Sequence, residues 1–269
     1  MIYTLQTATT IENVLRNELH LGKKYVHQLR MAKAVSVDDQ LVSWTVQLPA
    51  RTILTIDIPK TKSNYLPASI SVPIMYEDEH LLVVDKPKNM ATHPNNSSET
   101  STCMNAVMRH VTHYAEHVHR LDEGTGGLLL IAKNPIAKAA LDYALANNEV
   151  TRSYTAVVEG RMVQQQGTIA KPIGKDRHHN TRRVVAKSGQ IAVTHFKVIA
   201  RTAKTTTVKL TLETGRTHQI RVHLAYLGHP IVGDTLYGAK LQGATYALEA
   251  TELTFTHPIT HKVITVTKK

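Results

Sequence analysis

The sequence predicts an α+β fold in two unequal parts, and three observations predict it. Strand-like and helix-like segments are mixed without regular strand–helix–strand alternation, which argues against a doubly wound sheet. Leu81-Leu82-Val83-Val84 and the run from Leu128 to Ala132 are continuously apolar, as in strands buried on both faces. Residues 63–73 carry Pro67, Pro73, three serines and Asn64, the composition of a linker. The boundaries that follow are a small α/β domain at 1–62, the linker at 63–73, and a large domain at 74–269.

In the first part, Ile11, Val14, Leu15, Leu19 and Leu21 recur at helical spacing, and Val26, Leu29 and Arg30 continue on a second helix. Residues 34–37, 41–46 and 52–58 read as short strands. After the linker, 81–84 reads as a strand, and 102–111 and 137–147 as helices, the latter stopped by Asn147-Asn148. Residues 153–158, 191–199 and 205–213 read as strands. Helical spacing returns at Ile220, His223, Leu224 and Leu227, with Gly228 as the stop.

A chain of 269 residues is long enough for one large and one small core. No apolar run approaches a membrane span, and the first residues lack a basic region followed by an apolar one, so neither an anchor nor a signal peptide is expected. Cys103 is the only cysteine, which excludes an internal disulfide and a thiolate metal cluster and fits a reducing cytoplasm. Thirty-two Lys and Arg against 21 Asp and Glu give a formal charge of +11, a balance that favours a polyanionic partner. The basic residues cluster at Lys23, Lys24, Arg30 and Lys33, and again from Lys171 to Lys187. Aromatics make up only 5%, which disfavours single-strand binding by stacking.

The densest chemistry is His119-Arg120-Leu121-Asp122, followed by Glu-Gly-Thr-Gly-Gly and the apolar run. A carboxylate placed there beside an arginine is better explained by a site than by a wet surface. On an extended segment Arg120 and Asp122 share a face while Leu121 points the other way. Asp85-Lys86-Pro87, with Met90 and His93-Pro94, is a proline-punctuated loop leaving a strand end; taken alone it reads as an ordinary connection. Tyr154, in Arg152 to Gly160, is by burial habit more often core than catalyst. From Glu213 to His223, Gly215 supplies a tight entry, Thr217 a cap, and Arg221 projects from the first turns of a helix. His110, His113 and His117 fall at i, i+3 and i+7, but without HExxH or a cysteine partner they support no metal site. Neither a P-loop nor a GxGxxG after a strand occurs, so no nucleotide cofactor is expected.

Together these segments resemble the RluA-type family of RNA pseudouridine synthases, from about Ile74 to Pro258. Four motifs stand in family order: LLVVDKP with the downstream His-Pro, HRLD-x-x-T-x-G, Tyr154 in YTAVVEG, and TGRTHQIRVHLAYLGHPIVGDTLYG. Residues 1 to about 60 resemble the S-four-like RNA-binding domain that often precedes this catalytic domain. The resemblance implies a mixed, largely antiparallel central sheet with flanking helices, and a cofactor-free isomerase that detaches uracil from ribose and rejoins it through C5. It implies Asp122 as the nucleophile, Arg221 as its partner, Tyr154 as the tyrosine that stacks on the base and assists proton removal at C5, and Arg120 as the side chain filling the vacated space. His119, Thr125, Arg216, Thr217, His218 and Gln219 would contact RNA at the site, and Arg16, Lys23, Lys24, Arg30 and Lys33 in the first domain. The substrate implied is ribosomal RNA, with transfer RNA as the alternative and a monomer as the working unit.

The chain departs from the family pattern at three places. Gly126 replaces the usual serine or alanine and, with Gly124 and Gly127, predicts a more flexible turn. Glu123 adds a second carboxylate next to Asp122. Glu249 stands in Leu248-Glu249-Ala250, where histidine is common. These departures, and nothing else in the chain, favour the rival reading of a non-catalytic RNA-binding assembly factor. A glycosidase using Asp122 and Glu123 fails, because sequence neighbours rarely flank one bond from opposite sides.

Overall fold

The computed structural model describes residues 1–268. In the first part, β1 (Ile2–Thr4), β2 (Val35–Val37) and β3 (Ile53–Ile56) form an antiparallel sheet in the order β1–β3–β2. Helix α1 (Ile11–Asn13) is capped by the Thr10 hydroxyl, which accepts the Asn13 N–H at 3.1 Å. It runs into a π-helical turn, Val14–Glu18, closed by the Leu19 N–H donating to the Val14 carbonyl at 2.8 Å. Helix α2 (Lys23–Met31) follows. Ile11, Val14, Leu15, Leu19, Val26 and Leu29 are buried against Tyr3, Leu54 and Ile56, so the apolar spacing read from sequence is the core of this unit.

Two expectations are corrected here. Residues 41–46 form a turn rather than a strand: Leu41 and Val46 are exposed, and the Trp44 carbonyl accepts the Glu12 N–H at 3.2 Å. The strand β1 takes the vacant edge of the sheet. Residues 63–73 are irregular but not a free linker. Ser63 donates to the Ala115 carbonyl at 2.7 Å, Tyr65 to Glu116 at 2.9 Å, and Asn105 donates to the Leu66 carbonyl at 2.7 Å, which straps the segment across the helix at 103–111.

The second part contains β4 (Ile74–Glu77), β5 (Leu81–Lys86), α3 (Cys103–Val111), β6 (Glu116–His117), β7 (Gly126–Ala132), α4 (Pro135–Ala146), β8 (Thr151–Glu159) and β9 (Gln166–Ala170). After these come β10 (Ile173–Lys175), β11 (Arg183–Val185), β12 (Val193–Arg201), β13 (Thr205–Leu212), α5 (Gln219–Tyr226), β14 (Leu248–Thr256) and β15 (Val263–Thr267). The main sheet runs β4–β5–β7–β14–β8–β13–β12–β9, with β6 on β7 and β15 on β14, while β10 and β11 form a separate hairpin. Every pairing is antiparallel except β7–β14, which is parallel and only two residue pairs long, Glu249 with Gly126 and Ala250 with Gly127.

Alternate residues of β5 and β7 enter different cores, as continuous apolar strands require. Leu82, Val84, Leu129 and Ile131 join α3, Tyr154 and α5 on one face; Leu81, Val83, Leu128 and Leu130 join α4 and Phe255 on the other. Helix α3 begins with a reciprocal cap between Thr102 and Asn105 and ends at Thr112, whose φ is 65°. His113 and His117 therefore leave the helix, and the three histidines do not share a helical face. Helix α4 starts at Pro135, two residues earlier than the apolar spacing implied, because the Asn134 side chain accepts the Ala137 N–H at 2.8 Å. The first unit packs on this body: Ile136 and Ile259 enter its core, and the His20 ring stacks on Tyr143 at 3.3 Å.

Candidate active site

Asp122 lies on the turn entering β7, at the wall of a cavity of about 430 Å³. Leu121 is buried in the core, and Arg120 and Asp122 line the cavity. The loop after β5 holds both neighbours of Asp122. The Thr92 hydroxyl donates to the Leu121 carbonyl at 2.7 Å and accepts the Leu121 N–H at 3.1 Å. Lys86, with no exposed surface, donates to the carbonyls of Pro87, Met90 and Glu123 at 2.9, 2.6 and 3.1 Å. Burial pushes its pKa down to about 8, against the pull of nearby acidic groups that include Asp122. The Asp-Lys-Pro loop, unremarkable in sequence, is thus the clamp on the turn.

Arg221, on α5, is 6% exposed and meets two carboxylates unequally. It donates through Nε and Nη2 to both oxygens of Asp234, at 2.7 and 2.8 Å, and leaves Nη1 3.5 Å from Asp122 Oδ2. Its guanidinium also lies over the rings of Tyr246 and Tyr237, at 4.3 and 4.9 Å. Burial opposes its charge, but the Asp234 hydrogen bonds outweigh it and raise the pKa above the usual arginine value. Asp122 therefore faces a cation that another carboxylate already holds by two shorter hydrogen bonds. His218 Nε2 lies 4.0 Å from Asp122, and its ring receives or donates a 2.8 Å hydrogen bond with the Tyr237 hydroxyl. Burial lowers the His218 pKa.

Tyr154 projects from β8 into the same cavity and is 5% exposed. Burial raises its pKa, with Asp122 adding to the effect and Arg152 opposing it, so the phenol is protonated at neutral pH.

The other expected RNA contacts separate into two groups. Arg120, Arg216 and Thr217 are exposed at the cavity. His119, Thr125 and Gln219 line it too, but their polar atoms serve the fold. His119 Nε2 accepts the Leu130 N–H at 3.2 Å, and burial lowers its pKa to about 3. Thr125 meets the Tyr246 hydroxyl at 3.2 Å. Gln219 accepts from Thr214 and Arg216 and donates to Val193 and Thr194. The cap of α5 is His218, at φ 58°, rather than Thr217, and no side chain caps the first turn. In the first unit Lys23, Lys24 and Lys33 are exposed. Arg16 instead donates to the Leu21 carbonyl, and Arg30 pairs with Glu12 at 3.1 Å over the Trp44 ring.

The three sequence departures have local explanations. Glu123 is exposed and lies outside the cavity lining, so it adds no second carboxylate to the site. Gly126 and Glu249 meet in space: a Cβ on Gly126 would sit 3.0 Å from Lys88 Cγ and 3.6 Å from Glu249 Oε1. Glu249 is itself bound by Lys268, which also holds Asp85 at 2.8 Å. Nor is the turn loose. A Cβ on Gly124 would lie 2.6 Å from the Tyr246 ring, and Gly127, at φ 106°, would collide with the Ala250 carbonyl at 2.1 Å. These glycines allow close approach of β14 and the segment before it, which corrects the expectation of flexibility.

Residues 80–226 match the family model described as RNA pseudouridylate synthase, and residues 2–54 match that of the RluD ribosomal pseudouridine synthase N-terminal domain. The chain is 40% identical over 274 residues to the uncharacterized RNA pseudouridine synthase YhcT of Bacillus subtilis, covering 98% of this chain and 90% of that protein. It is 42% identical over 207 residues to ribosomal large subunit pseudouridine synthase D of Vibrio cholerae, covering 70% and 64% respectively. Among solved structures, human RNA pseudouridylate synthase domain containing 1 aligns with a TM-score of 0.63 at 25% identity, over 74% of this chain and 83% of that one.

Proposed function

Because the chain belongs to the RNA pseudouridine synthase family and is an isomerase of that type, we propose that Asp122, Tyr154 and Arg221 are its catalytic residues and large-subunit ribosomal RNA its substrate. One observation carries the residue roles: the Asp122 carboxylate, the Tyr154 ring and the Arg221 guanidinium converge on one cavity, with Arg221 Nη1 3.5 Å from Asp122. The reaction conserves every atom. The bond between uracil N1 and ribose C1′ breaks, a bond from C5 to C1′ forms, and the proton lost from C5 is balanced by one gained at N1.

Asp122 is the nucleophile that carries the detached fragment between the two bonds. Arg221 fixes its orientation and Tyr154 offers a flat, neutral face to the base. A uridine must leave its stack to enter a cavity of this depth. Arg120, exposed beside Asp122, is placed to occupy the space it leaves. Ribosomal RNA is supported by the likeness of residues 2–54 to the N-terminal domain named above and by the relatives named for the large ribosomal subunit. The two-part layout is read as an RNA-gripping domain at 1–62 and a catalytic domain from 74.

The test is tritium release from C5-labelled uridine in unmodified ribosomal and transfer RNA. Wild type is expected to release tritium from ribosomal RNA, and Asp122→Asn to release none while its RNA affinity stays within a few-fold. Release by Asp122→Asn would overturn the nucleophile; release from transfer RNA alone would overturn the substrate.

A further inference from the structure

The cavity contains a second buried arginine, which the reaction as described leaves without a task. Arg152, on β8, is 7% exposed and lines the wall two residues from Tyr154, on the same face of the strand. Among the described residues it has no carboxylate within salt-bridge range and makes no side-chain hydrogen bond, and its Nε is buried without any partner. Arg221, also buried, is satisfied by Asp234. Buried charges are ordinarily paired, because desolvating an ion without a counter-charge is costly. A guanidinium held unpaired in a ligand cavity therefore points to an anion that the ligand brings.

From these observations we propose that Arg152 binds a backbone phosphate of the nucleotide that enters the cavity, an inference that rests on reading this cavity as the uridine pocket. The site is shaped for it. Two residues along a strand span about 6.6 Å, so a base lying on Tyr154 leaves Arg152 about one sugar's reach away. Arg152 Nη1 extends to the rim at Gly215, where an added Cβ would stand 2.8 Å from it. Gly215 has no positive φ, so the absence of a side chain there serves the arginine rather than the backbone. Nearby groups do not compete for the guanidinium. His119 is neutral, partly because Arg152 repels a proton on it, and Tyr154 is a protonated phenol. Asp122 faces Arg221 at 3.5 Å and makes no salt bridge with Arg152, and Glu213 is taken by His195 at 2.6 Å. Uracil itself carries no formal charge, so a base contact alone would leave the arginine unneutralised.

The experiment compares uridine, uridine 5′-monophosphate and uridine 3′-monophosphate as stabilisers of the full chain in thermal unfolding, each at 10 mM and matched ionic strength. Wild type is expected to be stabilised more by at least one monophosphate than by uridine, by an apparent affinity ratio of about tenfold. Arg152→Met should lose that preference and keep its response to uridine. Gly215→Ala retains the charge but displaces Nη1, and should weaken the preference several-fold without loss of fold. No phosphate preference in wild type, or an equal loss of the uridine and monophosphate responses in Arg152→Met, would overturn the inference. An intact phosphate preference with no tritium release from wild type would count against the catalytic reading instead. Tritium release without a phosphate preference would count against Arg152 alone.

Discussion

Asp122 and Asp234 divide one guanidinium, and the division predicts a measurable asymmetry. Asp234, 1% exposed, takes two short bonds, while Asp122 takes one long contact. Asp234→Asn should free Arg221 to turn fully toward Asp122, binding its carboxylate more tightly and misplacing it. Turnover in single-turnover assays is expected to fall by about 100-fold, as for other sub-ångström displacements near reacting atoms. Unfolding in urea should show a loss of about 3 kcal/mol from the broken buried pair. Asp122, Tyr154 and Arg221 are legible in the sequence because each sits in a dense motif. Asp234 lies unmarked inside the longest motif, and Tyr246 outside all of them, because what they do depends on partners 13 residues or more distant in the chain.

At the scale of elements, the loop after β5 and the turn before β7 act as one piece through Thr92 and Lys86. Thr92→Val keeps the shape of the side chain and leaves the Leu121 N–H and carbonyl buried without a partner. That should cost about 1–3 kcal/mol in urea unfolding, and turnover should fall more than RNA affinity. Buried strands β5 and β7 and helices α3 and α4 are readable because both faces or one clear stripe are apolar. The turn at 41–46 imitates a strand because its apolar residues alternate as in one; Val42 and Trp44 pack against the core of the first unit, whereas Leu41 and Val46 face solvent. Strands β9, β10 and β11 leave little trace in the sequence because they are short and polar, and their ladders are made with partners that the local sequence does not reveal.

For the molecule as a whole, charge and titration give two further expectations. The first unit shares its core with Ile136 and Ile259, so deleting it would expose apolar surface on the catalytic body. The cleaner probe of RNA grip is replacement of Lys23, Lys24 and Lys33 by glutamine. The salt slope of RNA affinity, measured by filter binding, should become shallower by about 0.7–0.9 for each phosphate that is no longer neutralised. Acid stability depends in part on His119, whose pKa burial lowers from 6.5 to about 3, alongside other buried histidines such as His117, lowered to about 4. Between those values the unfolded chain binds a proton that the folded chain refuses, so stability falls as pH falls. The slope from this group is at most about 1.4 kcal/mol per pH unit. Urea unfolding at pH 7, 6 and 5 should show it, and His119→Gln should make the slope shallower by up to that amount.

The two-pair junction of β7 with β14 has a mechanical consequence. Asp122 stands on the sheet half formed by β4 to β7, whereas Tyr154, Arg152 and Arg221 stand on the half built around β8, β13 and β14. The gap between Asp122 and Arg221 is therefore a jaw opening. It is gauged at Gly127, where the two backbones touch and any larger residue would wedge them apart. Outer strands and loops of either half can drift in sequence without changing the bite, provided that this joint, the Lys268 bridge from Asp85 to Glu249 and the shared core keep their spacing.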